Sequence, residues 1–295
     1  MKPLLALLLT LCSALAEPAA TKGVDVSLIS EQTAIAPGQP FTVGLKIHHH
    51  PGFHTYWKNP GIAGIPVNLE WQLPEGFSAG PIQWPYPQRS MMAIHPVHGF
   101  ERDVLLMVEI TPPAQFAATT AELKATASWM ACADGCYPGK TELTLTLPKA
   151  EKAREGAENR AFFAQARAEL PQPIAHWKFE LLSAVDAEEI RLRLTPADGQ
   201  ALAPTEPYFF SSDGQISSSP VQKATVKDGV IEITAARAQY GPKGIKNLPG
   251  VLISKTPLWK DGPCFAGIND EKAVAANAAA TCPECEKEAA GSVSR

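Results

Sequence analysis

The chain has 295 residues, more than one hydrophobic core usually serves, so two domains are expected. Hydrophobic residues at 45% suffice for real cores, and 26 Lys and Arg against 30 Asp and Glu give a net charge of −4 with mixed signs, which excludes a basic face for nucleic acid. Proline, at 27 residues, stands at nearly twice its ordinary share, and Gly, Pro, Asn and Asp recur at short intervals, which favours short-stranded sandwiches or barrels over helix bundles.

The first stretch carries Lys2, an apolar run from Leu4 to Leu11 and the small-x-small pattern Ala14-Leu15-Ala16, so residues 1–16 read as a secretory signal peptide. Leu9-Thr10-Leu11 lacks the small residue a lipoprotein signal places before its cysteine, so no lipid anchor is expected at Cys12. No later stretch reaches the roughly 18 apolar residues of a spanning helix. The mature chain is therefore expected to be soluble, periplasmic or secreted. In such an oxidising compartment its cysteines, at 132, 136, 264, 282 and 285, can form bridges, and the odd number leaves one thiol free or intermolecular.

Val24 to Ile29 and Phe41 to Ile47 alternate like strands around a Pro37-Gly38 turn. A loop-rich region follows, in which His48-His49-His50 and Phe53-His54-Thr55-Tyr56-Trp57 crowd aromatic rings among turn formers. Val67 to Trp71 alternates again, Pro74-Glu75-Gly76 reads as a turn, and Pro81 to Pro87 is too proline-rich for a central strand, so it should run extended on an edge or over the surface. Val104 to Ile110 reads as a largely buried strand. Ala121 to Ala131 places Leu123, Ala125, Ala127 and Trp129 on one parity, and Thr141 to Leu147 alternates strictly. Between them Asp134-Gly135 suits a short hairpin loop with glycine at positive φ, which would bring Cys132 and Cys136 together.

Seven or eight short strands over residues 17–148 make a sandwich-sized first domain. Glu151 to Leu170 is rich in Ala, Glu, Lys and Arg, with Phe162, Ala166 and Leu170 on one helical face and Pro171 as the stop, so residues 149–171 read as a helical linker. A second β domain spans 172–262: Trp177, Phe179 and Leu181 alternate, as do Ile190, Leu192 and Leu194. Val221 to Ala235 folds back at Asp228-Gly229, and Val251 to Ile253 adds a strand. Residues 263–295 read as a mobile, cysteine-containing tail. The fold class is thus all-β, two sandwiches joined by a helical linker.

Two cysteines four positions apart across so tight a loop make a weak staple, about 2 kcal/mol in the chain-entropy model against about 3 for a fifteen-residue loop. The spacing suits a bridge that opens and closes, and a structural bridge or two reduced thiols remain the alternatives. A rival function is periplasmic copper binding or copper tolerance. Six of the seven histidines fall between His48 and His98, and Met91, Met92, His95 and His98 form a compact set of soft ligands. A non-catalytic interaction module with an inert bridge is a further alternative. Cys264 is expected to bridge Cys282 or Cys285; a zinc site of all three, or a tail pair that relays electrons, are the other options. No Gly-rich phosphate loop, Gly-x-Ser-x-Gly or His-Glu-x-x-His occurs.

Three separated motifs then appear in one order: His54-Thr55-Tyr56-Trp57-Lys58-Asn59-Pro60-Gly61, Trp84-Pro85-Tyr86-Pro87, and Trp129-x-x-Cys132-x-x-x-Cys136-x-Pro138. Together they resemble the N-terminal periplasmic module of the DsbD and ScsB thiol-disulfide interchange proteins, especially the ScsB-like branch, over roughly Val24 to Leu147. The resemblance implies an immunoglobulin-like sandwich that takes electrons from a membrane-embedded donor and reduces disulfides in exported thioredoxin-like proteins, with no cofactor. Carried onto matching positions, Cys132 and Cys136 would be the redox pair and Cys136 the residue that forms the mixed disulfide. Phe53, His54, Tyr56 and Trp57 would belong to a loop that shields the pair. Family members usually continue into membrane helices and a thioredoxin-like domain, and this sequence stops without either, so a separate protein is expected to supply the electrons, or the chain to serve a related binding role.

Overall fold

In the computed structural model, residues 19–197 and 202–269 are described; the expected signal peptide, Cys282, Cys285 and most of the expected tail lie outside them. The first unit is a sandwich. One sheet orders the strands Ala19–Ala20, Val24–Ser30, Phe41–His49, Val104–Thr111 and Ser78–Ala79, and the other orders Cys136–Pro148, Thr120–Cys132 and Asn68–Gln72. Period-2 alternation builds the space between them: Val24, Val26 and Leu28, then Leu45 and Ile47, meet Ala125, Ala127, Trp129 and Ala131 from the opposite sheet. The proline-rich stretch runs extended along the edge, where Gln83 N–H donates to the Met107 carbonyl at 2.8 Å.

Val104–Thr111 is apolar on both parities because both its faces are covered. Leu106, Val108 and Ile110 enter the sandwich, while Leu105 and Met107 pack under the helix Arg160–Ala168 with Phe163, Ala166 and Leu170. The helix is shorter than its sequence suggests, and its phase differs by one residue. Phe163 is the buried ring, whereas Phe162 lies outside with the Lys46 ammonium 3.9 Å from its centroid. Residues Arg154–Glu155, expected to be helical, pair instead with Gln32–Ala34.

The expected loop around the histidines and aromatics is a third sheet, ordered Thr55–Gly61, His95–Phe100 and Gln88–Met92. It is tied to the sandwich where His54 and Cys132 exchange backbone hydrogen bonds of 2.9 and 3.0 Å. The second unit sets Trp177–Leu181, Glu189–Pro196, Val230–Ala236 and Lys223–Lys227 against a sheet of Tyr208–Ser211, Gly250–Ile253 and Phe265–Ile268. Its hairpin turns at Asp228-Gly229 with both residues at positive φ, 51° and 77°, as a two-residue primed turn requires.

Phe265–Ile268 is a fully buried strand, so the expectation of a mobile tail from residue 263 is corrected for these residues. The sheet it completes is shared by the two units. Phe209, Leu252 and Ala266 face the second core, whereas Tyr208, Phe210, Val251 and Phe265 on the other parity enter the first. Such a sheet is covered on both faces and reads as a continuous apolar run. Phe265 stacks on Tyr86 at 4.2 Å, Phe210 meets Trp57 edge-on at 6.2 Å, and Arg102 joins Tyr86 O at 2.9 Å and Glu169 at 3.1 Å.

Candidate functional site

The strands Thr120–Cys132 and Cys136–Pro148 stay in register over their whole length, ending with Cys132 directly opposite Cys136. Register alone therefore delivers two sulfurs to one spot, on side chains that leave the same face. They are joined, with an S–S distance of 2.05 Å and a Cα–Cα distance of 4.1 Å. The loop Ala133-Asp134-Gly135 closes through an Ala133 N–H bond to the Gly135 carbonyl at 3.0 Å. Gly135 is not at positive φ, contrary to the turn geometry its sequence suggests; a Cβ there would lie 3.1 Å from the Tyr137 hydroxyl.

The two sulfurs have unequal surroundings. Cys132 is completely buried among Tyr56 and Val97, with Met92 and Met130 beside them, whereas Cys136 is exposed. The Tyr56 hydroxyl donates to Cys132 Sγ at 3.0 Å. Its oxygen lies 3.3 Å from His54 Nε2, and with the phenolic proton given to sulfur that oxygen can accept only from an Nε2–H. Burial pushes the Tyr56 phenol up and the His54 imidazole down, the latter partly offset by Glu101, so both are neutral near pH 7. A neutral donor chain thus ends on the buried sulfur.

Of the four residues assigned to a shielding loop, His54 and Tyr56 do sit over Cys132, on or next to a strand rather than a loop. Phe53 lies to one side, 6.1 Å from the Tyr137 ring. Trp57 points the other way into the core between the units, as strand alternation after Tyr56 demands, so it does not shield the pair. Met92 and Val97, which do line Cys132, carry no motif; only the cross-strand register reveals them.

The soft-ligand set does not converge. Met91 and His98 stand on one face of the Gln88–Met92/His95–Phe100 hairpin, Met92 and His95 on the other. His98 is buried, its Nε2 3.1 Å from the Tyr208 hydroxyl, while Met91 is exposed. Among the described residues no three His, Cys, Asp or Glu side chains gather where they could hold a metal ion. Cys264 is buried with its sulfur 3.8 Å from the Lys255 carbonyl oxygen; its expected partners Cys282 and Cys285 lie outside the described residues.

Beside the disulfide loop opens a cleft of about 690 Å³. Its lining combines Phe53, His54 and Ala133 to Gly135 with Arg89, Met91 and His98 of the third sheet and Tyr208, Ser218 and Val221 of the second unit.

The family described as "Thiol:disulfide interchange protein DsbD, N-terminal" matches residues 25–148. No curated protein sequence matches the chain. Among solved structures, the N-terminal periplasmic domain of ScsB from Proteus mirabilis superposes with a TM-score of 0.58 at 16% identity, covering 79% of this chain and 90% of that one. A conserved domain protein from Bacillus anthracis reaches a TM-score of 0.26 at 7% identity, covering 82% of this chain and 78% of the other. No helix among the described residues is long and apolar enough to cross a membrane.

Proposed function

We propose, from the match of residues 25–148 to the DsbD N-terminal family, that the chain is an exported thiol-disulfide interchange protein that hands electrons from Cys132 and Cys136 to thioredoxin-like partners. The observation that carries this reading is the asymmetry of the pair, one cysteine exposed and the other buried under Tyr56.

The reduced pair begins the cycle. Cys136, as thiolate, attacks a partner disulfide; a bond forms between its sulfur and the partner's, and the partner's second sulfur leaves as thiolate. Cys132, unable to reach a visitor, attacks Cys136 Sγ instead. This forms the Cys132–Cys136 bond seen here and expels the partner's first sulfur. Two electrons and two protons pass to the partner, and a dithiol-bearing membrane donor restores the pair. Tyr56 serves the second step, because its hydroxyl is already aimed at the sulfur that must become an anion to resolve the adduct.

Trapping with single-cysteine variants tests the reading. Incubated with an oxidised thioredoxin-like protein, Cys132→Ser should accumulate a mixed disulfide that dithiothreitol releases, and Cys136→Ser should accumulate none. Equal capture by Cys136→Ser would sink the assignment.

A further inference from the structure

The second β unit has no part in that scheme, yet it supplies a wall of the cleft beside the disulfide loop. We propose that this wall is a docking surface: the extended segment flanking the reactive cysteine of a partner lies in the cleft, with an apolar side chain against Met91 and Val221. The inference rests on the thiol-disulfide reading, since a covalent bond to Cys136 fixes where the partner's neighbouring residues must go. The cleft is lined by Ala133, Asp134, Gly135 and Tyr137, which bracket Cys136 in the chain. A cysteine joined there carries its own chain neighbours across the opening, because consecutive Cα atoms stand only about 3.8 Å apart.

The wall is built to hold still. Ser218 Oγ donates to the Pro96 carbonyl at 2.6 Å and accepts from Ile62 N–H at 2.9 Å, pinning the turn of the second unit to the third sheet of the first. Asn59 Nδ2 donates to the Ser211 carbonyl at 2.6 Å, the Tyr208 hydroxyl meets His98 Nε2 at 3.1 Å, and the Arg89 guanidinium lies 5.1 Å over the Tyr208 ring. Gly61 completes the join, as a Cβ there would strike the Ser218 side chain. Against this fixed backing Met91 is 54% and Val221 64% exposed. Two large apolar groups left open in the lining of a cleft beside an exposed redox cysteine are suited to an apolar neighbour of a cysteine. Arg89, Glu101, Asp134 and Ser218 offer polar partners to its backbone.

The test follows the adduct at Cys136, by mass mapping, in the reduced full chain, wild type and two variants, Met91→Asn and Val221→Asn, whose side chains are exposed enough to leave folding intact and whose replacements add no charge to repel the anionic probes. Two probes are compared: the small aryl disulfide dithiobis(nitrobenzoate), and a short peptide whose single cysteine, flanked by leucines, is activated as a thionitrobenzoate mixed disulfide. Each variant should react with the peptide about tenfold more slowly than wild type. With the small disulfide, which needs Cys136 alone, the rates should be unchanged. Unchanged peptide rates in both variants would overturn the docking surface while leaving the redox reading standing, and a parallel fall with both probes would overturn it by showing damage to the hairpin. A wild-type chain inert to both probes would remove the redox reading itself, and this inference with it.

Discussion

Burial sorts the polar side chains near the site into those that act and those that report on folding. Tyr56→Phe removes the hydroxyl that donates to Cys132 Sγ. Such a bond is worth about 1 kcal/mol net, so resolution of a mixed disulfide should slow roughly fivefold. Followed with dithiobis(nitrobenzoate), the first thionitrobenzoate equivalent, released at Cys136, should appear at the wild-type rate and the second late. Simultaneous release of both as in wild type would show that the hydroxyl does nothing for the buried thiol. His49 and His98 act differently. Burial lowers each from the ordinary 6.5 to about 4, so between those values the unfolded chain binds protons that the folded chain does not. Stability is therefore fully present above pH 6.5 and falls as pH drops toward 4, by up to about 1.4 kcal/mol per pH unit per histidine. Urea unfolding across this range should show that slope, and His98→Gln should roughly halve it.

At the scale of elements, the cysteine hairpin is the part most legible in the sequence. The parity of Leu123, Ala125, Ala127 and Trp129 against the alternation from Thr141 to Leu147 allows one register if one face is buried, and that register sets Cys132 opposite Cys136. The same register sets Trp129 opposite Gly139, where a Cβ would run into the indole. Gly139→Ala should therefore destabilise the chain by about 1–3 kcal/mol in denaturant titration. A neutral result would mean that the indole has room to move. Less legible is the helix phase, because Phe162 and Phe163 stand four and three residues before Ala166, and either spacing places a ring on its face. Contacts with Leu105 and Met107 decide it. The third sheet was hidden for a related reason: Thr55–Gly61 contains Asn59, Pro60 and Gly61, which read as a turn, and the pairing that makes it a strand is interrupted between Tyr56 and Gly61.

For the whole molecule, the two units share a sheet. Neither Tyr208–Ser211 nor Phe265–Ile268 is legible as a strand in the sequence, and the second was expected in the tail, because four-residue runs covered on both faces show no polar alternation and alternate residues serve different cores. Phe265→Ala removes a buried ring stacked on Tyr86 and should cost about 3–5 kcal/mol. It should also split a single unfolding transition into two, as the second unit comes loose from the first. The cleft beside Cys136 depends on the same join, so it too was invisible to motif reading. At every scale the central requirement is that the Cys132–Cys136 bond opens in the folded protein. Equilibrating the native chain in graded thiol buffers, with thiols counted by dithiobis(nitrobenzoate) and tryptophan fluorescence as the monitor of fold, measures this directly. Two new thiols, located at Cys132 and Cys136 by mass mapping, should appear at a potential above about −300 mV with the fluorescence of the folded state retained. A bond that stays closed until the protein unfolds would contradict it.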